Sequence, residues 1–157
     1  MTIPHRETGN FRVENITIRK LKKEDAEEIS RINDVITKSA FKEEIKRTVE
    51  KSTGRSGELS LVAEAEGRVV GYMITYLLVG GFGMKKSAWI ALFGVDPKYM
   101  GEGIGKALAK EVFEFYEAKG IKDIYTSVRW DSTDLLSFFK ALGFDRSNYI
   151  NLRKILE

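Results

Sequence analysis

Hydrophobic positions alternate with polar ones at the start of the chain and then change period. In residues 15–21, Ile16, Ile18 and Leu21 alternate with polar neighbours, the pattern of a half-buried first strand. Residues 23–36 place Ala26, Ile29, Ile32, Val35 and Ile36 at helical spacing, with Glu24 and Asp25 where a helix start favours acids. Phe41, Ile45 and Val49 repeat that period and predict a short second helix over residues 41–49. Residues 51–57 carry Ser52, Thr53, Gly54, Ser56 and Gly57 and read as a loop.

Two strand patterns, residues 58–64 and 68–79, flank Glu66-Gly67, a hairpin signal. Gly80, Gly81 and Gly83 break the chain before another strand, residues 87–95, which Asp96-Pro97 closes. From Ile104 the stripe Ile104, Leu108, Val112 and Phe115 predicts a long helix, ended by Lys119-Gly120. Residues 121–128 read as a strand. Residues 132–142 read as a helix stopped by Gly143, with Ser132 or Thr133 as N-cap. Phe144 and residues 149–156 supply one or two last strands. The expected fold is a mixed α/β sheet in the order β-α-α-β-β-β-α-β-α-β-β, forming a single domain over 15–157 behind a flexible extension, 1–14.

Composition narrows the chemistry more than the fold. The chain has 157 residues, 43% hydrophobic and 31% charged, which suits one soluble domain. It has no Cys, so disulfides, thiolate metal sites and cysteine nucleophiles are excluded. Its one His, His5, lies in the polar start and cannot build a His-ligated zinc site or a Ser-His-Asp triad unless that tail folds into the core. No metal is expected. The 26 Lys+Arg against 23 Asp+Glu leave +3, with Lys and Glu interspersed along helices rather than gathered in a stripe, which argues against nucleic acid. The longest uncharged run, residues 69–84, is shorter than the ~20 residues of a spanning helix and is interrupted by glycines, so no membrane contact is expected. The expected location is cytoplasmic.

The informative stretch joins the strand at 87–95 to the long helix. Pro97 opens a turn, and Gly101, Gly103 and Gly105 lead into the helix start. Glycines let successive N–H groups point at one place, and a helix N-terminus adds unpaired donors and roughly +0.5 of charge. A phosphate or diphosphate suits such a cradle. The dinucleotide fingerprint needs two residues before its third glycine, whereas here each gap is one residue. A P-loop needs Ser or Thr after Gly-Lys, whereas Gly105-Lys106 is followed by Ala107.

The segment Val95-Asp96-Pro97-Lys98-Tyr99-Met100-Gly101-Glu102-Gly103-Ile104-Gly105 resembles the acetyl-coenzyme A motif of the GCN5-related N-acetyltransferases. That motif has the form Val-x-Pro-x-x-(x)-Gln/Arg-x-x-Gly-x-Gly/Ala after a strand. A second family landmark, aromatic-x-x-x-Gly-Phe at a helix end, is matched by Phe139-Lys140-Ala141-Leu142-Gly143-Phe144. The order of elements agrees from Asn15 to Leu156. The resemblance implies acetyl-CoA as cosubstrate and acetyl transfer to a primary amine by direct attack in a ternary complex. It implies that the main chain of Phe93, Gly94 and Val95 pairs with the pantetheine amides, with a bulge near Gly94. It also implies that Met100, Gly101, Glu102, Gly103, Ile104, Gly105, Lys106 and Ala107 cradle the diphosphate, and that Ser132 and Phe139 flank the cofactor. Lys98, Lys106, Lys110 or Lys140 could attract the 3′-phosphate. Gly94 and Val95 would polarise the acetyl carbonyl.

Several positions depart from the family pattern. Met100 replaces Gln or Arg, Ser132 replaces a common Asn, and Phe139 replaces the Tyr that protonates the leaving thiolate in many members. Trp89 and Ser127 stand where subfamilies place a Glu base. Candidate relays are Ser127, Asp131 and Glu64, and Tyr72, Tyr76, Tyr99 or Tyr125 could supply a hydroxyl; packing is the alternative for each tyrosine. The acceptor, an amine-bearing small molecule or a protein N-terminus, is expected near residues 33–41 and the loop 80–86, with Phe82 and Trp89 as lining. A non-catalytic acyl-CoA-binding module and a nucleotide-binding regulatory domain are the alternative functions. Monomer and homodimer are both compatible with the sequence.

Overall fold

A computed structural model describes residues 15–38, 41–81 and 83–157. Strand β1 (Ile16–Lys20) passes through a 3-10 turn (Lys23–Asp25) into α1 (Ala26–Thr37) and α2 (Lys42–Ser52). Strands β2 (Leu61–Ala65), β3 (Arg68–Leu78) and β4 (Ser87–Val95) follow. A second 3-10 turn (Pro97–Tyr99) then leads into α3 (Ile104–Ala118), β5 (Ile124–Thr126) and α4 (Thr133–Ala141). The chain divides into two compact units, one ending at Ser127 and one beginning at Val128. The first carries the sheet and α1–α3; the second carries α4.

The sheet runs β1-β2-β3-β4-β5, antiparallel except for β4 and β5, which are parallel. Glu66 and Gly67 both take positive φ, 53° and 76°, the requirement of the tight hairpin turn their sequence signals. One face packs under α1 and α2: Leu21, Ile29, Ile32, Ile45 and Val49 close over Val62, Tyr72 and Ile74. Burying each such aliphatic side chain contributes about 1.5–3 kcal/mol, so this cluster holds two helices that are too short to persist alone. On the other face α3 lies against β3. There Gly71 leaves room for the helix start, since a Cβ on it would stand 2.9 Å from Ile104 Cγ2 and 3.4 Å from Leu108 Cδ1.

Polar groups pin both layers. The Tyr116 hydroxyl of α3 lies 2.5 Å from Thr75 Oγ1 and accepts the Leu59 amide at 3.2 Å, while Thr75 Oγ1 also donates to the Leu59 carbonyl. Burial raises the Tyr116 phenol's pKa above its usual range. Arg19 donates to Asp25 at 2.8 and 2.9 Å and to Glu64 at 2.6 Å, and Asp25 also accepts the Lys22 amide. These bonds, that to Asp25 foremost, raise the guanidinium's pKa. The clamp fastens the start of α1 to β1 and β2. Glu64 is thereby engaged by Arg19 rather than being a bare hairpin charge.

Three elements depart from the pattern of apolar positions. Strand β5 holds only Ile124–Thr126, because its ladder with β4 covers Ala88, Trp89 and Ile90 alone. Helix α2 runs three residues past the apolar stripe to Ser52, where Thr53 bonds back to the Val49 carbonyl. The expected last strands are absent: residues 145–157 form no ladder, and Ile150, Leu152, Ile155 and Leu156 are exposed. Alternation alone does not make a strand without an edge to pair with.

Candidate functional site

Strand β4 carries an extra residue midway. Leu92 pairs with Ile74 and Ile90 pairs with Thr75, so Ala91 is bulged out. The expected bulge at Gly94 is therefore displaced to Ala91, and Gly94 itself pairs regularly with Tyr72. The β5 ladder ends at Ile90, at the bulge. Bulges bend and twist a strand, so Leu92–Val95 runs on with β3 at one side and no β5 ladder at the other.

Backbone direction in that segment follows from one bond. The Asp96 amide donates to the Val70 carbonyl at 2.8 Å and so faces β3. Alternation turns Gly94 the same way and directs the main-chain groups of Phe93 and Val95 toward the β5 side. An extended ligand carrying amides could run along this edge as an added strand.

The chain then tightens. Asp96 caps the turn by accepting the Lys98 amide at 3.0 Å, and also accepts Arg31 at 3.2 Å. Arg31 in turn holds Glu28 at 3.0 Å, and these carboxylates raise its pKa. This pairing fixes α1 against the end of β4.

Gly101 and Gly103 sit at φ 79° and 86°, a region L side chains rarely adopt, and Gly103 occupies the N-cap of α3. The Met100 amide bonds to the Pro97 carbonyl and the Ala107 amide to the Gly103 carbonyl. The amides of Gly101, Glu102, Gly103, Ile104, Gly105 and Lys106 make no hydrogen bond among the described residues. The cradle is thus narrower than the sequence motif: Met100 and Ala107 use their amides locally. Met100, 56% exposed, presents a side chain with no donor. Lys98 and Lys106 are exposed on either side of this turn, whereas Lys110 pairs with Glu114 and Lys140 with Asp145.

Other expected site residues fall as follows. Ser127 is exposed one residue beyond β5. Asp131 accepts two bonds from Arg129, at 2.9 and 2.8 Å, and this partner holds its pKa below the usual carboxylate range, which makes it a weak base. Ser132 stands at the N-cap of α4, but its hydroxyl makes no capping bond. Phe139 is buried and packs edge-on against Phe138 and Phe144, with centroids 5.2 and 5.1 Å apart. Phe139→Ala is expected to destabilise by about 3–5 kcal/mol, read by chemical unfolding, while turnover by the protein that stays folded changes little. Equal stability with lost turnover would contradict that assignment.

On the α1–α2 face, Tyr76, Trp89 and Tyr125 stack across β3, β4 and β5, with centroids 6.5 and 4.9 Å apart. Phe82 and residues 39–40 lie outside the described residues. Tyr72, one of the four tyrosines named as a hydroxyl source, crosses over Gly94, a placement the sequence did not foresee. The cross-strand pairing that brings them together has no local signal. Elsewhere, a cavity of about 410 Å³ lined by Lys20, Arg55, Glu58, Ser60, Phe115 and Lys119 lies at the far end of α3. It is separated from the glycine turn by the length of that helix, about 22 Å, and belongs to a different part of the molecule. Among the described residues no group of His, Asp or Glu side chains could hold a metal, and no helix is long and apolar enough to cross a membrane.

Residues 23–144 match the family described as Acetyltransferase (GNAT) family. Among solved structures, an aminoglycoside acetyltransferase, meta-AAC0020, from an uncultured soil metagenomic sample is 20% identical with a TM-score of 0.72, over 90% of this chain and 97% of that one. AAC(6′)-Iy, in complex with the bisubstrate analog CoA-S-monomethyl-acetylneamine, is 19% identical with a TM-score of 0.73, over 91% of this chain and 100% of that one. A ribosomal-protein-alanine N-acetyltransferase from Brucella melitensis biovar Abortus 2308 is 17% identical with a TM-score of 0.70, over 90% and 99% of the two chains.

Proposed function

Because the chain belongs to the GNAT family of acetyltransferases, enzymes that use acetyl-CoA as cosubstrate, we propose that it acetylates a primary amine by direct attack within a ternary complex. In this reading residues 15–157 act as one acetyltransferase domain, with no nucleic acid or membrane partner, in the cytoplasm. The observation that carries it is the run of unpaired amides from Gly101 to Lys106 at the start of α3, continuous with the edge of β4 beyond the bulge.

The residues suit the cosubstrate. A diphosphate collects charge-assisted bonds from those amides and from the positive end of α3. Lys98 and Lys106 sit near enough to favour a further phosphate. The pantetheine arm, an extended chain with two amides, matches the exposed backbone direction of Phe93 and Val95. The acetyl carbonyl then lies beside a β4 amide that polarises it. The amine nitrogen attacks the carbonyl carbon, the C–N bond forms, and the sulfur leaves with the electron pair of the C–S bond. A proton leaves the nitrogen to solvent or a relayed base. Holding both reactants in line supplies up to ~7–11 kcal/mol of the barrier.

The acceptor follows from what the site lacks. Trp89 stands at one usual base position and Ser127 at another, and Asp131 is held ionised by Arg129. A lysine ε-amine at pKa ~10.4 needs roughly 4.6 kcal/mol to be neutral at pH 7, an α-amine near 7.7–8.0 only ~1–1.4 kcal/mol. The favoured acceptor is therefore a low-pKa amine: a protein N-terminus or an amine-bearing small molecule such as an aminosugar.

The test is thiol release from acetyl-CoA with a panel of N-terminal peptides, aminosugars, polyamines and lysine peptides. Turnover with the first two groups above the last two is the expected result. A second reading, a non-catalytic acyl-CoA-binding module, is favoured by Phe139 at the position of the family's acid. CoA binding with no turnover of any amine would establish it instead.

A further inference from the structure

Tyr72 lies in the apolar cluster beneath α1 and α2 and is 1% exposed, yet its hydroxyl is not among apolar groups alone. A Cβ built on Gly94 would stand 2.6 Å from the Tyr72 hydroxyl oxygen and 2.7 Å from Cζ. The ring therefore crosses from β3 over β4, and the hydroxyl stands directly above the one residue of the segment that has no side chain. Phe93 and Val95, on either side, direct their main-chain groups toward the β5 side. The hydroxyl forms no hydrogen bond with any described residue, and its oxygen is not among the fully buried unpaired atoms. Packing does not require it, since Phe would fill the same space, so it is available to a group bound along the β4 edge.

We propose that the Tyr72 hydroxyl donates a hydrogen bond to the sulfur of the acetyl donor, stabilising it as it takes the electron pair of the C–S bond. This rests on reading the β4 edge as the donor's site. Burial pushes the phenol's pKa far above that of a thiol, about 8.5, so the proton stays on Tyr72 throughout. The group is a neutral donor, not an acid that gives its proton away, and it needs no recharging between turnovers. The partly buried charged groups of α1 are Glu28, Arg31 and Asp34; Glu28 and Asp96 both pair with Arg31, and Asp34 Oδ1 is buried without a hydrogen bond among the described residues. The charged residues of α2 are exposed, and Glu64 of β2 is paired with Arg19.

The experiment titrates the thiol of CoA bound to the whole protein, following thiolate absorbance against pH, in wild type and Tyr72→Phe. In wild type the bound thiol should ionise about one pH unit below free CoA, because a donor to the charged form favours it. In Tyr72→Phe that shift should vanish, while CoA affinity stays within about threefold and the melting temperature is kept, since only an oxygen is removed. With an accepted amine, kcat should fall about tenfold or more with KM for acetyl-CoA nearly unchanged. Identical thiol titrations in the two proteins would overturn the proposal and leave the acetyltransferase reading standing. Absence of CoA binding by wild type would sink both.

Discussion

Gly103→Val is expected to weaken CoA binding by at least about 100-fold while the sheet and α1 remain folded. Gly103 holds φ at 86° as the N-cap of α3, and a β-branched residue there costs about 1–2 kcal/mol in backbone strain. The turn relieves that strain by rotating, which turns the amides of Gly103 and Ile104 away from their common focus. Each amide bond to a charged oxygen contributes about 1.5–3 kcal/mol, so losing two accounts for the expected factor. Calorimetric titration with CoA and a thermal melt separate the two effects: affinity collapses, and the melt falls by about 2–4 °C for each kcal/mol of strain. Asn, which tolerates left-handed φ, should fall between Gly and Val. A Gly103→Val protein with wild-type CoA affinity would refute the cradle.

Gly94→Ala is expected to destabilise by about 1–3 kcal/mol and to weaken CoA binding as well, because the added methyl has nowhere to go. Its Cβ would meet the Tyr72 ring at 2.6–3.0 Å, closer than real Cβ atoms approach anything. Tyr72 cannot retreat, since Ile29, Ile32 and Ile74 share its cluster. The strand must shift instead, and with it the backbone of Phe93 and Val95. Removing the obstacle tests the cause: in a Tyr72→Leu background the same substitution should cost at least about 1 kcal/mol less. Equal losses in the two backgrounds would show that the clash is not what requires glycine at this position.

Both expectations concern glycines, but they differ in how visible they were. Gly101 and Gly103 follow Pro97 and precede the stripe Ile104, Leu108, Val112, so strand end, turn and helix start were all readable within a dozen residues. The hairpin at Glu66-Gly67 and the helix faces of α1 and α3 were readable for the same reason. Gly94 was readable only as part of a motif. That it lies under a tyrosine from β3 depends on the pairing of residues far apart in the chain. The bulge at Ala91 sets where the β5 ladder stops, yet nothing in the string of residues 87–95 distinguishes Ala91 from its neighbours. The Arg19 clamp joins residues from β1, the first turn and β2, and a sequence shows these only as scattered charges. The late apolar alternation at Ile150, Leu152 and Ile155 misled in the opposite direction, since it describes a face and not a partner.

By itself, then, the chain's order of residues determined what is decided within a few bonds. This includes left-handed backbone at glycine, the helix start after a Pro-led turn, the spacing that gives each helix one apolar side, and the absence of thiol chemistry. Folding in three dimensions decided the cross-strand register: which residue bulges, which amides stay unpaired at the start of α3, and which hydroxyl lies over Gly94. The physical reason is range. Dihedral preferences and capping act between near neighbours, whereas a one-residue change of register moves every later side chain of a strand to a new partner, and only the packed sheet selects among registers.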